Sequence, residues 1–101
     1  LSNVLKNAIE ASPSGATVRV ELSLEKNHTA SIRVLDMGPL LTPDEADLIF
    51  RPFYSQKKEG LGLGLSVSKS LVDNNDGILR YQDKPEKCFQ LLLPTRELID
   101  E

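Results

Sequence analysis

With 101 residues, 40% hydrophobic and 27% charged, the chain has material for a single core and not for two. A net charge of −3 and an isoelectric point near 5.1 argue against a nucleic-acid backbone as main partner. The lone Cys88 excludes an internal disulfide and suits a reducing compartment. No apolar run approaches the roughly 20 residues of a membrane span, and no signal peptide is visible. The chain starts without methionine in what reads as mid-helix, so a fragment of something larger is expected.

Helices and strands alternate along the chain. Leu1, Val4, Leu5, Ala8 and Ile9 recur at helical spacing up to Ala11, where Ser12-Pro13-Ser14-Gly15 stops the helix. Val18, Val20, Leu22 and Leu24 alternate strictly between Thr17 and Glu25, which predicts a half-buried strand. After the turn Lys26-Asn27-His28, Ala30, Ile32 and Val34 form a second alternating strand ending at Asp36. Thr42-Pro43-Asp44-Glu45 reads as a capping box with proline at the first helical position, opening a short helix to about Phe50. Arg51 to Glu59 has no period and reads as a loop. A further helix buries Leu65, Val67 or Ser68, Leu71 and Val72, and stops at Asn74-Asn75-Asp76-Gly77. Two strands meeting near Asp83-Lys84-Pro85-Glu86 close the domain, the second with Phe89, Leu91 and Leu93 on one face. Residues 95–101 read as a polar tail.

Some of these segments carry chemistry. Gly60-Leu61-Gly62-Leu63-Gly64-Leu65 places a glycine at every second position before a helix. Such a loop lets backbone N–H groups crowd onto an anion, and the helix N-terminus adds partial positive charge. The plain alternative is a turn. Asn3 and Asn7 are four apart and share a helical face, where a neutral amide oxygen is a fair Mg²⁺ ligand. The plain alternative is two surface asparagines. Asp36 at a strand end offers a carboxylate to an exocyclic amine, or serves only the turn Met37-Gly38-Pro39. Phe50 reads as core, and Lys57 and Lys58 are mobile cations that either reach phosphates or stay solvated.

Taken in order, Leu1 to Ala8, Asp36-Met37-Gly38-Pro39, Ile49-Phe50-Arg51-Pro52-Phe53 and Gly60 to Leu65 match four boxes of one family. The chain resembles the ATP-binding catalytic domain of sensor histidine kinases, within the Bergerat-fold ATPases that include the gyrase, HSP90 and MutL ATPase domains. The resemblance covers residues 1–94 and implies a two-layer α/β sandwich, a mixed sheet with helices on one face, lacking its front end. It implies ATP and Mg²⁺ as cofactors, catalytic positions at Asn3 and Asn7, and the metal on Asn7. ATP contacts would come from Asn7, Asp36 (to the adenine N6 amine), Gly38, Phe53, Lys57, Gly60, Gly62, Gly64 and Leu65. The γ-phosphoryl group would pass to a histidine on a separate helical-hairpin domain, through which the kinase forms a homodimer. A response-regulator receiver would then take it, in the cytoplasm.

His28, in a polar turn, does not fit that acceptor, and Glu10, one helical turn past Asn7, is the nearest additional carboxylate for a base. The sequence departs from the family at Leu40, where the pattern Asp-x-Gly-x-Gly has glycine. A dinucleotide-binding oxidoreductase is set aside, because Gly-x-Gly-x-x-Gly directly after a strand is absent. A docking or nucleotide-binding module without kinase activity, and a serine kinase of the anti-sigma-factor type, remain the alternatives.

Overall fold

The computed structural model describes residues 2–52, 54 and 64–95. Its elements are α1 (Ser2–Ala11), β1 (Arg19–Glu25), β2 (Thr29–Leu35), α2 (Pro43–Leu48), α3 (Gly64–Asn74), β3 (Ile78–Gln82) and β4 (Cys88–Pro94). The strands form one sheet in the order β1-β2-β4-β3. Every described pairing is antiparallel, so the parallel pair that a mixed sheet requires is not found among the described residues.

Strand register sorts the side chains. Val20 faces Val34, Val34 faces Phe89 and Tyr81 faces Phe89, so one parity of all four strands points toward the helices. That face carries Val34, Phe89, Leu91 and Leu79, packed against Val4 and Ala8 of α1 and Leu65 and Val72 of α3. Phe89 is the hub. Phe50 meets it edge-on at 6.0 Å between ring centroids, and Tyr81 meets it at 5.5 Å. The expectation that Phe50 serves the core therefore holds.

The opposite parity is mixed, with polar side chains beside Leu35, Ile78, Cys88 and Leu92. Arg33 donates to Glu21, Arg80 donates to the Gln90 side-chain oxygen, and the Gln90 amide donates to Ser31, a chain running across the outer face. This face is not simply solvated, since Cys88, Ser31, Leu35 and Gln90 on it are all buried.

Three local devices shape the chain as its residues predict. Asn27 and His28 both take left-handed backbone, the conformation a tight hairpin turn requires. Thr42 and Glu45 form a reciprocal capping box at the start of α2. At the end of α3, Asp76 takes left-handed backbone while its N–H donates to Asp73 and that of Gly77 donates to Val72. This is a Schellman close, with aspartate rather than glycine at the left-handed position. Gly77 is needed for another reason. A methyl there would lie 2.6 Å from the Leu92 carbonyl oxygen, 2.7 Å from Leu93 and 2.9 Å from Val72. Gly77→Ala is expected to cost about 1–3 kcal/mol, seen as a lowered urea midpoint with an unchanged slope.

Two expectations need correction. In α3, Leu65, Ser68 and Val72 face the core, whereas Val67 and Leu71 are exposed. Positions 65, 68 and 72 follow i, i+3, i+7 on one side, which turns 67 and 71 outward together. Strand β1 is not half-buried: Val20, Leu22 and Leu24 are 49%, 72% and 80% exposed. Their parity does point to the helical side, but α1 packs on β2 and α3 on β3, so neither covers this edge strand.

Candidate functional site

Helix α1 supplies the spine of the site. Asn3, Asn7 and Ala11 are spaced by four, so they lie in one row of about 12 Å along the helix. All three are half-buried, while Lys6, Ile9 and Glu10 on other sides of α1 are exposed. Each end of the row meets a glycine from a distant segment. At one end Gly64, which opens α3, would place a Cβ 3.7–3.8 Å from the Asn3 side chain. At the other end a Cβ on Gly38 would sit 2.6 Å from the Ala11 carbonyl oxygen. The Gly38 position therefore admits no side chain unless the backbone moves. Asn7 lies in the row between the ordinary contact at Gly64 and the close approach at Gly38.

The loop carrying Gly38 is fixed by hydrogen bonds. The Met37 N–H donates to Ser12 Oγ at 3.0 Å, which ties the loop to the end of α1. The Gly38 N–H donates to Asp36 Oδ1 at 2.8 Å, an Asx turn. Further along, the Leu41 N–H donates to the Tyr81 hydroxyl at 3.1 Å. Burial pushes the Tyr81 phenol above its ordinary range, and the Leu41 hydrogen bond works against that. Leu40 is exposed, and the left-handed backbone among the described residues is confined to Gly15, Asn27, His28 and Asp76. The backbone at position 40 thus does not require the left-handed conformation that favours glycine.

Asp36 is the chemically unusual member. Its side chain is 0% exposed, yet its Oδ2 has no hydrogen-bond partner among the described residues. Burying an acceptor unmatched costs about 1–3 kcal/mol, so a site that keeps one is suited to a ligand that donates there. Its Oδ1 is held by Gly38 and also by Lys87, whose ammonium donates at 2.8 Å. Lys87 is 7% exposed at its side chain, and the sequence reading missed it. The signal was present: Lys87 shares the parity of Phe89 and Leu91, which points inward. The pairing of Val34 with Phe89, carried two residues further, sets Asp36 opposite Lys87.

The structure thus brings together Asn3, Asn7, Gly38 and Gly64 along α1, with buried Asp36 two residues from Gly38 and Leu65 buried beneath the α3 N-terminus. Phe53, Lys57, Lys58, Gly60 and Gly62 lie outside the described residues. His28 sits in the β1–β2 turn, its carbonyl accepting the Thr95 N–H. Among the described residues no group of three or more His, Cys, Asp or Glu side chains is arranged to hold a metal. A metal here would need oxygens from amides and from its ligand, which is a pattern Mg²⁺ accepts.

The family described as histidine kinase-, DNA gyrase B-, and HSP90-like ATPase matches residues 1–97. Sporulation kinase A of Bacillus subtilis (strain 168) is 32% identical over 96 residues, covering 93% of this chain and 16% of that protein. The signal transduction histidine-protein kinase/phosphatase MprB of Mycobacterium avium (strain 104) is 38% identical over 107 residues, covering 95% of this chain and 20% of that protein. Among solved structures, a mycobacterial sensor histidine kinase MprB superposes with a TM-score of 0.83 at 33% identity, covering 95% of this chain and 70% of that one. The catalytic domain of histidine kinase ThkA gives 0.80 at 25% identity, covering 92% and 62%. The chain thus spans about a fifth or less of those two curated relatives.

Proposed function

The chain belongs to the histidine kinase-, DNA gyrase B- and HSP90-like ATPase family, and from that premise we propose that it binds ATP with Mg²⁺ and serves phosphoryl transfer to a histidine. The observation that carries this reading is the row Asn3, Asn7, Ala11, with Gly64 in contact at one end and Gly38 in close approach at the other, and the Asp36 oxygen left unmatched among the described residues beside it. In this reading Asp36 Oδ2 accepts the adenine N6 amine, and Gly38 keeps the loop close enough for the base to pass. Asn7 offers its amide oxygen to Mg²⁺. Asn3 and the N-terminus of α3, with Gly64 and Leu65, face the phosphates. Phe53, Lys57, Gly60 and Gly62 join the site through the family resemblance alone.

When bound, Mg·ATP supplies a neutralised triphosphate from which the γ-phosphoryl group can leave. The chain's own residues position and exclude water, because phosphoryl transfer depends mostly on alignment and charge neutralisation. The acceptor histidine belongs to a helical-hairpin domain of the same kinase, which also makes the homodimer, and a response-regulator receiver then takes the group. The setting is the cytoplasm. Among the described residues no helix is long and apolar enough to cross a membrane.

Calorimetric titration tests the first step. ATP or ADP with Mg²⁺ is expected to bind at micromolar Kd or weaker, about −8 kcal/mol or less favourable, and NAD is not. Failure of ATP to bind at millimolar concentration would replace this reading with that of a docking module.

A further inference from the structure

We infer that Lys87 is a specificity-determining residue of the base pocket, reading the N1 acceptor of an adenine whose N6 amine meets Asp36; this rests on the nucleotide-binding reading above. The starting point is an imbalance in a buried ion pair. Lys87 and Asp36 are 7% and 0% exposed at their side chains, and a single contact of 2.8 Å joins them. An ammonium carries three donors, and a carboxylate has about four acceptor positions. Among the described residues, Asp36 Oδ1 is the one acceptor that Lys87 reaches, while Asp36 Oδ2 receives nothing. Two N–H donors and one carboxylate oxygen are therefore left without a partner among the described residues, close together and largely shielded from water.

That pattern fits a partner with an acceptor next to a donor. The Watson–Crick edge of adenine has this order, N1 accepting and N6–H donating. Guanine fits less well. Its N1–H and N2 amine are two donors facing one free oxygen, which leaves a buried donor without a partner. Asp36 alone would offer N1 only further acceptor oxygens. Lys87 replaces that repulsion with a charge-assisted hydrogen bond. Its inward position follows from the strand parity it shares with Phe89, and the 2.8 Å contact with Asp36 fixes its reach.

The test compares ATP with 1-deaza-ATP, in which C–H replaces N1 and the N6 amine is kept. Calorimetry on this chain is expected to show ATP bound about ten- to hundredfold tighter, the range for a hydrogen bond to a charged group. In Lys87→Met the two nucleotides are expected to bind alike. Lys87→Gln, which keeps an N–H donor, is expected to restore part of the gap. Thermal unfolding of each variant reports its folding. If Lys87→Met does not fold, the ratio in the parent chain and in Lys87→Gln still decides.

Equal binding of the two nucleotides by the parent chain overturns the inference, as does a ratio that survives in Lys87→Met. Either result would make Lys87 a purely structural counter-ion. ITP binding tighter than ATP, and losing that advantage in Lys87→Met, would put the ammonium on O6 and overturn the N1 assignment. If the parent binds no ATP at all, the nucleotide-binding reading itself fails, a result distinct from each of these.

Discussion

Asn7→Ala is expected to leave the domain folded but to lower phosphoryl transfer by about a hundredfold or more, the scale of a lost metal contribution of several kcal/mol. The assay mixes the chain, Mg·ATP and the helical-hairpin domain of its parent, and follows acid-labile, base-stable label on that domain. Folding is expected to survive because Asn7 is half-buried at the rim of α1, outside the apolar cluster of Val4 and Ala8. Alanine is also the better helix former, by roughly half a kcal/mol. Asn7→Asp is expected to stop transfer as well, by placing a full charge where an amide dipole stood. The chain alone should not label itself, since His28 belongs to a hairpin turn. Transfer that survives Asn7→Ala would mean that the metal is held elsewhere.

Asp36→Ala is expected to destabilise the fold by about 3–5 kcal/mol, because it strands the Lys87 ammonium away from water. The loss would appear in urea unfolding as a large fall in midpoint. Asp36→Leu combined with Lys87→Met should recover most of it, since replacing both members of a buried pair by apolar groups is often neutral. Asp36→Asn separates recognition from stability. Its amide oxygen still accepts from Gly38 and Lys87, but the free side becomes a donor that opposes the adenine amine. Preference for ATP over GTP is then expected to drop by about 1.5–3 kcal/mol. If Asp36→Ala proves as stable as the parent, the pair contributes nothing to the fold. If Asp36→Asn folds and binds ATP as well as the parent, Asp36 is only a turn residue.

Much of this arrangement could be read from residue patterns. Alternation located β1 and β2, and the spacing of Phe89, Leu91 and Leu93 located β4, because a period of two is set by backbone geometry alone. Thr42-Pro43-Asp44-Glu45 announced a capping box that forms as expected, and the spacing of Asn3 and Asn7 placed them on one side of α1. Burial was less legible. Leu22 and Leu24 alternate as a core strand does, yet remain exposed, since the reach of a helical layer depends on tertiary packing rather than local period. Leu71 failed for a related reason: two apolar stripes were available on α3, and only packing chose between them. Lys87 was missed because a charged residue at a strand start reads as surface. Its burial emerges only when the pairing of β2 with β4 puts it beside Asp36.

The uncovered edge strand has a consequence for how the domain breathes. Strands β4 and β3 and the inner half of β2 lie under helices, whereas β1 is joined chiefly to β2, with its apolar row open to water. Local opening costs least where few apolar contacts are lost, so amide protons of β1 should exchange well before those of β4. Loss of β1 would carry away little of the cluster around Phe89. Asp36, Gly38 and the row on α1 are expected to exchange with that slower half. The hairpin of β1 can therefore open and close many times while the polar groups gathered around α1 keep their places.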